Sequence, residues 1–392
     1  MTVVFFCPLI LRDYFKELFD IEGLLEKGYI PIFLDATKYY GRKSTATDSL
    51  ILSRSVECAT EEDFRNFKTT LPDEPVLYLI FDLQMKMATK PLDIILRKQD
   101  KILSYYTKSF SKIDYGKSGF KKMGDPLIKS LGSILPLHHF KFYYKNKHSK
   151  YLPDYYLCST NYLVPPKIYL TIPRNNRFVV HADDVNKLIG LPESNNLDKK
   201  KMGVFLDQGI PFLRKTHPKL YTEPFPDGYF EEYYKKITES LKVVQERLEL
   251  DEIIIALHPD AVKFEKELEG KFNGFKTISG KTAELIKNAD FVFGHNSTAL
   301  SYAIYLKKPV IIFTDHFLNN YHKRIWESID FFINELGMTE IDMDKKIFLK
   351  KEKVCINEKK YRNYTKVFLK DNDIQQNSYH YAIKNVKQDL KI

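Results

Sequence analysis

This sequence predicts an α/β protein built from two successive Rossmann-like units, and three observations lead there. Strand-like apolar segments alternate with helix-like ones from residue 3 to residue 313, the order that builds a parallel sheet. A polar break at residues 190–201, with Gly190, Pro192 and three consecutive lysines, divides that pattern. In the second half, two apolar strands stop abruptly in polar groups: residues 253–259, ending in His258-Pro259, and residues 290–298, ending in Asn296-Ser297-Thr298.

The first unit opens with a strand at residues 3–6. Residues 14–27 carry Phe15, Leu18, Phe19, Leu24 and Leu25 at helical spacing. Gly28 ends that helix, and residues 29–34 form the next strand. Residues 76–81, 155–158 and 178–180 are further strands. After the break, a strand at 203–206 leads to a helix at 229–248, a strand at 253–257 and a helix at 261–269. A strand at 291–293, a helix at 299–306 and a strand at 310–313 follow, the order of a Rossmann-like half. Residues 361–386 read as helix. The domains expected are 1–195 for the acceptor and 202–345 for the donor. A helical segment at 346–392 is expected to pack back on the first domain. Two such units predict a cleft between them as the ligand site.

Bulk properties narrow the class. The chain has 392 residues, 44% hydrophobic and 29% charged, which is globular. No apolar run approaches the roughly 20 residues of a membrane span, and the first residues lack a basic leader. Cys7, Cys58, Cys158 and Cys355 are widely spaced, without CxxC spacing. A zinc site or disulfide framework is not expected, and the cytoplasm is the default location. A net charge of +10 favours acidic partners. The basic, aromatic-interleaved residues 141–150 suit a membrane surface or an anionic acceptor, or else a solvated hairpin.

His258 stands at a strand's carboxyl end, where open parallel sheets bind ligands, and an imidazole there can donate to a phosphate or act as an acid. Pro259 stiffens the turn. An isolated His-Pro reads as a structural turn, and Ser297-Thr298 alone as a helix cap. The two signatures lie one βαβ step apart, and together they favour a phosphate site, because a helix start offers free N–H groups and a favourable dipole. Asp207 ends a strand before Gln208-Gly209 and is the first choice for a base or nucleophile; a cap aspartate is the equal alternative. Asp183 and Asp184 are second choices, more commonly helix caps. Arg12 and Arg324, the latter beside Lys323, are candidates for the donor carboxylate or the acceptor. Glu223 could contact a ribose or sugar.

The His-Pro strand end followed by the Ser-Thr pair resembles bacterial sialyltransferases and the Kdo transferases of capsule and lipopolysaccharide synthesis. These share the GT-B fold and use CMP-activated 2-keto-3-deoxy acids. The resemblance implies that His258, Pro259, Ser297 and Thr298, with Asn296 beside them, bind the CMP nucleotide and its phosphate. It covers about a quarter of the chain. The acidic-acidic-Gly motif of some sialyltransferases is broken here, because Val185 follows Asp183-Asp184. The sequence is read as having no DxD, which disfavours a metal-held diphosphate, and a CMP-sugar has one phosphate, so no metal and no cofactor beyond the donor are expected.

The function expected is therefore transfer of Kdo, sialic acid or a related nonulosonic acid from a CMP donor to a bacterial surface polysaccharide. The acceptor would be a glycan or lipid-linked glycan, met at the inner face of the cytoplasmic membrane, with no specific nucleic acid. A UDP-sugar 2-epimerase, or a UDP- or GDP-sugar transferase on the same fold, is the enzymatic alternative. A basic subunit binding glycan or nucleic acid is the non-enzymatic one.

Overall fold

The structure is a computed structural model that describes residues 1–107, 151–159, 171–189, 191, 200–212, 215, 225–321, 323–345, 354–369 and 376–391. The chain divides into two compact units. The first takes residues 1–107, the described residues of 151–189, and 376–391; the second takes 191–369.

In chain order the first unit holds β1 (Thr2–Cys7), α1 (Phe15–Leu18), α2 (Ile21–Glu26), β2 (Ile30–Asp35), α3 (Ser49–Ser53), β3 (Ser55–Glu57) and α4 (Glu61–Thr69). It continues with β4 (Leu77–Phe81), α5 (Met85–Ile95), β5 (Lys101–Tyr106), β6 (Tyr155–Cys158), β7 (Arg177–Val179) and α6 (Asp183–Ile189). The second unit runs β8 (Met202–Leu206), α7 (Tyr229–Leu248), β9 (Glu252–Leu257), α8 (Glu265–Leu268), β10 (Lys276–Ser279), α9 (Thr282–Asn288) and β11 (Phe291–Gly294). Then come α10 (Leu300–Tyr305), β12 (Val310–Thr314), α11 (His316–Tyr321), α12 (Lys323–Asp330), β13 (Thr339–Asp342) and α13 (Glu358–Tyr364). The last helix, α14 (Ser378–Asp389), belongs to the first unit.

Among the described residues, the first sheet has the order β3-β2-β1-β4-β5-β6-β7 and the second β10-β9-β8-β11-β12-β13. Every pairing is parallel. Both are Rossmann orders, with strand order reversing between β1 and β4 in one unit and between β8 and β11 in the other. Parallel strands covered on both faces need apolar residues at every position. That is why β1, β8 and β12 are buried along their whole length. One face of the first sheet packs Val3, Phe5 and Leu79 against Phe19, Leu24, Tyr379 and Ile383, while Val4, Tyr78 and Ile80 face Phe64, Phe67 and Leu92. In the second unit α7 buries Tyr229, Tyr233, Ile237, Leu241, Val244 and Leu248, a stripe at spacings of three and four.

Several elements differ from the sequence reading. The helix expected over 14–27 is two helices, because Asp20 takes a left-handed φ of 48° and its carboxylate accepts from the Gly23 N–H. The helix expected over 261–269 starts as a tighter 3-10 turn at Pro259–Phe264, closed by Ala261 N–H to the His258 carbonyl at 2.8 Å. The helix expected at 299–306 is the shorter α10. The tail is no single helix: α13 passes into a π-turn at Thr365–Leu369, and α14 is separate. Strands β3, β5, β10 and β13 went unread: β3, β10 and β13 are short edge strands with exposed positions, and β5, though central, has Lys101 and Ser104 among its apolar residues. The linker at 190–201 lies outside the described residues except for 191, 200 and 201, and the basic stretch 141–150 lies wholly outside them. Among the described residues no helix is long and apolar enough to cross a membrane.

Gly203 shows how closely β8 is packed. A Cβ there would lie 2.6 Å from Phe293 Cε2 and 3.0 Å from Leu250 Cδ1. Gly203→Ala is expected to destabilise the chain by about 1–3 kcal/mol, the usual cost of overpacking. Denaturant unfolding followed by fluorescence checks this, and an unchanged midpoint would refute it.

Candidate functional site

Register puts the polar strand ends of the second sheet into one row. Leu206 is level with Ala256 on β9 and with Gly294 on β11, and Gly294 is level with Ile312 on β12. Asp207, His258, His295-Asn296-Ser297 and Asp315 therefore all fall just beyond the carboxyl ends of four adjacent strands. The row straddles the reversal between β8 and β11, the place where open α/β sheets leave a crevice for ligands.

The row contains both fixed and open positions. His295 is wholly buried; its Nδ1 donates to the Phe313 carbonyl at 2.7 Å, and its Nε2 lies 3.0 Å from the Tyr233 hydroxyl. Nδ1 carries the proton, so Nε2 accepts from Tyr233. Burial, partly offset by the Phe313 carbonyl, pushes the imidazole pKa down to about 4, so the ring is neutral at physiological pH. Asp315 is fully buried; it accepts from the Leu318 N–H at 2.6 Å and from the Tyr229 hydroxyl at 3.5 Å. Sequence reasoning did not pick out Tyr233 or Asp315. Asp315 had a legible signal, since it too follows an apolar strand directly.

Asp207 is 2% exposed. One carboxylate oxygen accepts from the Gly209 N–H at 3.1 Å, and the other is buried with no hydrogen-bond partner. Burial pushes its pKa up to about 6, against the backbone N–H groups of Gly209 and Gln208. The turn-aspartate geometry and the perturbed acidity coexist in this one residue. A buried, unpaired carboxylate oxygen is costly, and such groups concentrate at functional sites.

His258 is half-buried, and Pro259 opens the 3-10 turn. Beyond β11, Asn296 is half-buried, Ser297 is buried and Thr298 is exposed. Ser297 Oγ accepts from the Ala299 N–H at 3.2 Å, and the Thr298 carbonyl accepts from the Ser301 hydroxyl at 2.7 Å. The hydroxyl pair therefore shapes the turn into α10 and does not directly cap it; Ala299 holds the N-cap position.

The remaining candidates lie elsewhere. Asp183 and Asp184 begin α6 in the first unit, and Asp183 Oδ1 accepts from the Tyr379 hydroxyl at 2.9 Å. Arg12 is exposed in the first unit, in the turn before α1. Arg324 lies in α12, and its side chain, with that of Lys323, is outside the described residues, as is Glu223. One expectation needs correcting: a DxD triplet does exist, as Asp342-Met343-Asp344 at the end of β13. Lys345 pairs with Asp342 at 2.6 Å and Lys236 with Asp344 at 2.5 Å, so both carboxylates already hold ammonium partners. A second triplet, at 371–373, lies outside the described residues.

Comparison with solved structures places this architecture in the GT-B class, two Rossmann-like units in one chain. The chain is similar to the wall teichoic acid polymerase TagF, at 13% identity and TM-score 0.50, over 100% of this chain and 89% of that one. It is also similar to MnaA of S. aureus in a co-structure with UDP, at 12% identity and TM-score 0.48, over 100% and 97%. A third is the UDP-GlcNAc 2-epimerase of Methanocaldococcus jannaschii with UDP-GlcNAc and UDP, at 15% identity and TM-score 0.45, over 99% and 100%. No family model matches the chain, and no curated protein matches it in sequence.

Two outcomes follow from this geometry. Tyr233→Phe leaves the buried His295 Nε2 without its donor and is expected to cost about 1–3 kcal/mol; unchanged unfolding free energy would contradict the bridge. Asp207 binds its proton more tightly folded, near 6, than at its ordinary 3.8. Its ionisation therefore opposes folding: no effect below the ordinary value, a penalty growing up to the folded value, and a constant penalty above. The stability of Asp207→Asn relative to wild type should rise over that window and then level off. A difference flat with pH would show that Asp207 is not perturbed.

Proposed function

We propose that the chain is an enzyme acting on a nucleotide-activated sugar, whose phosphate it holds at the carboxyl edge of the second sheet. The observation that carries this is the single row of polar strand ends at the β8/β11 reversal, with His258 on one side and Asn296-Ser297-Thr298 on the other. In this reading the Asn296-Ser297-Thr298 turn holds the phosphate, Pro259 stiffens the turn that presents His258, and His258 donates to the departing phosphate. Charge that develops on the leaving nucleotide is met by groups already in place. Asp207 is the base: its raised proton affinity suits proton uptake near neutral pH, and its second oxygen has no partner to give up. Asp183 and Asp184 rank behind it, since the Tyr379 hydroxyl already occupies Asp183. Arg12 and Arg324 keep their proposed part in meeting a sugar carboxylate or an acceptor, and the acceptor is assigned to the first unit.

The fold hosts many chemistries, so base and reaction are matters for experiment. Uridine comes first in the panel, as the base of the ligands in the similar MnaA and epimerase structures. Cytidine comes second, from the resemblance to CMP-dependent transferases. UDP-sugar transfer or 2-epimerisation thus stands ahead of CMP-ketosugar transfer, with action in the cytoplasm.

Calorimetric titration of UDP, CMP and GDP against wild type and Ser297→Ala/Thr298→Ala tests the site. One nucleotide should bind, and the double variant should bind it about tenfold or more weakly, the worth of a lost charge-assisted hydrogen bond. Incubating the matching nucleotide-sugar alone, then with a glycan acceptor, separates the reactions: an epimerised product without acceptor is the epimerase, a product only with acceptor the transferase. Equal binding by wild type and variant, or none of the three nucleotides bound, would overturn the proposal.

A further inference from the structure

We infer that the first unit carries a separate binding site for a multiply charged phosphate group, in a pocket between α2 and α14. The pocket is about 440 Å³ and is lined by Lys27, Tyr29, Gln376, His380, Lys384, Lys387 and Gln388, a size usual for small-molecule sites. Tyr29 directly precedes β2, so the pocket opens at the amino edge of its sheet. It is therefore distinct from the carboxyl-edge row of the second sheet.

Among the described residues, three lysines and two glutamines line the pocket together with Tyr29 and His380, and no carboxylate does. An acceptor-only ligand with several oxygens, which is what a phosphate is, fits such a set. Lys384 and Lys387 lie three residues apart on one helix, where like charges repel, and a bound anion removes that cost. Lys387 is already held, 5.3 Å over the Tyr29 ring.

The site is built, because its position rests on a buried group. His380 is 2% exposed, with Nε2 donating to the Asp20 carbonyl at 2.9 Å. That leaves Nδ1 as an acceptor, and Lys27 Nζ donates to it at 2.7 Å. The Asp20 carboxylate lies 3.4 Å from His380 Nε2 and accepts from the Gly23 N–H. The direct partner of Lys27 is thus an imidazole nitrogen, not a carboxylate. Gly23 permits this close fit, since a Cβ there would lie 2.9 Å from His380 Cε1.

The phosphate can belong to a soluble phosphorylated compound or to a lipid headgroup. Inorganic pyrophosphate is titrated calorimetrically at low ionic strength into full-length wild type, Ser297→Ala/Thr298→Ala and Lys384→Gln/Lys387→Gln. Binding should persist in the Ser297/Thr298 variant and weaken about tenfold or more in the lysine variant, with Lys384→Arg/Lys387→Arg retaining it. Co-sedimentation with phosphatidylcholine vesicles, with and without phosphatidic acid, names the source. Lysine-dependent binding to the acidic vesicles identifies a headgroup, and lysine-dependent pyrophosphate binding alone identifies a soluble ligand. Neither probe bound, or both bound equally by the lysine variant, overturns the inference. So does pyrophosphate binding abolished only by the Ser297/Thr298 change. Nucleotide binding at the second unit is read separately and does not decide this result.

Discussion

Burying β11 between β8 and β12 sets the condition on which the second unit depends. A parallel strand covered on both faces must be apolar to its last residue, and its first polar groups can appear only where it leaves the sheet. At that exit His295 is fixed from two directions, by the Phe313 carbonyl at 2.7 Å and the Tyr233 hydroxyl at 3.0 Å. The ring ties β11 to its neighbour β12 and to the covering helix α7. With both nitrogens occupied and the ring neutral, it holds the turn in place, where Ser297 and Thr298 shape the entry to α10.

Asp207 occupies the matching place at the end of β8, but its balance differs. His295 has two partners, whereas Asp207 has the Gly209 N–H on one oxygen and none on the other. A carboxyl group so placed favours its neutral form; burial above all, and then the nearby Asp207 charge, raise the phenol pKa values of Tyr233 and Tyr234. Within one row, therefore, one titratable group is locked and one is left poised. Only the second arrangement stores an unfavourable interaction that a ligand or a proton can relieve.

Much of this was legible in the sequence because buried parallel strands write themselves as apolar runs. The runs at 203–206, 253–257, 291–293 and 310–313 each became a strand of the second sheet, and the polar residues after them became its edge. The edge strands β10 and β13, half exposed, carry no such run and were missed. The role of His295 was not legible, since nothing local reveals that Tyr233, 62 residues earlier in the chain, supplies its second bond. The break at Asp20 was hidden for a different reason: helical spacing of Phe15, Leu18 and Leu24 continues across a residue whose left-handed backbone ends one helix and caps the next. The basic pocket was equally hidden, because Lys27 and Lys384 are distant in sequence and meet only when α14 returns to the first unit.

The central claim is that the carboxyl edge of the second sheet receives a nucleotide-sugar phosphate. Side-chain NMR of the full chain with isotopically labelled histidine, titrated with UDP and with CMP, tests it most directly. The account predicts that the His258 ring signals, assigned through His258→Gln, move with added nucleotide. The buried His295 ring should remain neutral. If His258 does not respond while a nucleotide demonstrably binds, the phosphate is held elsewhere and the account is wrong.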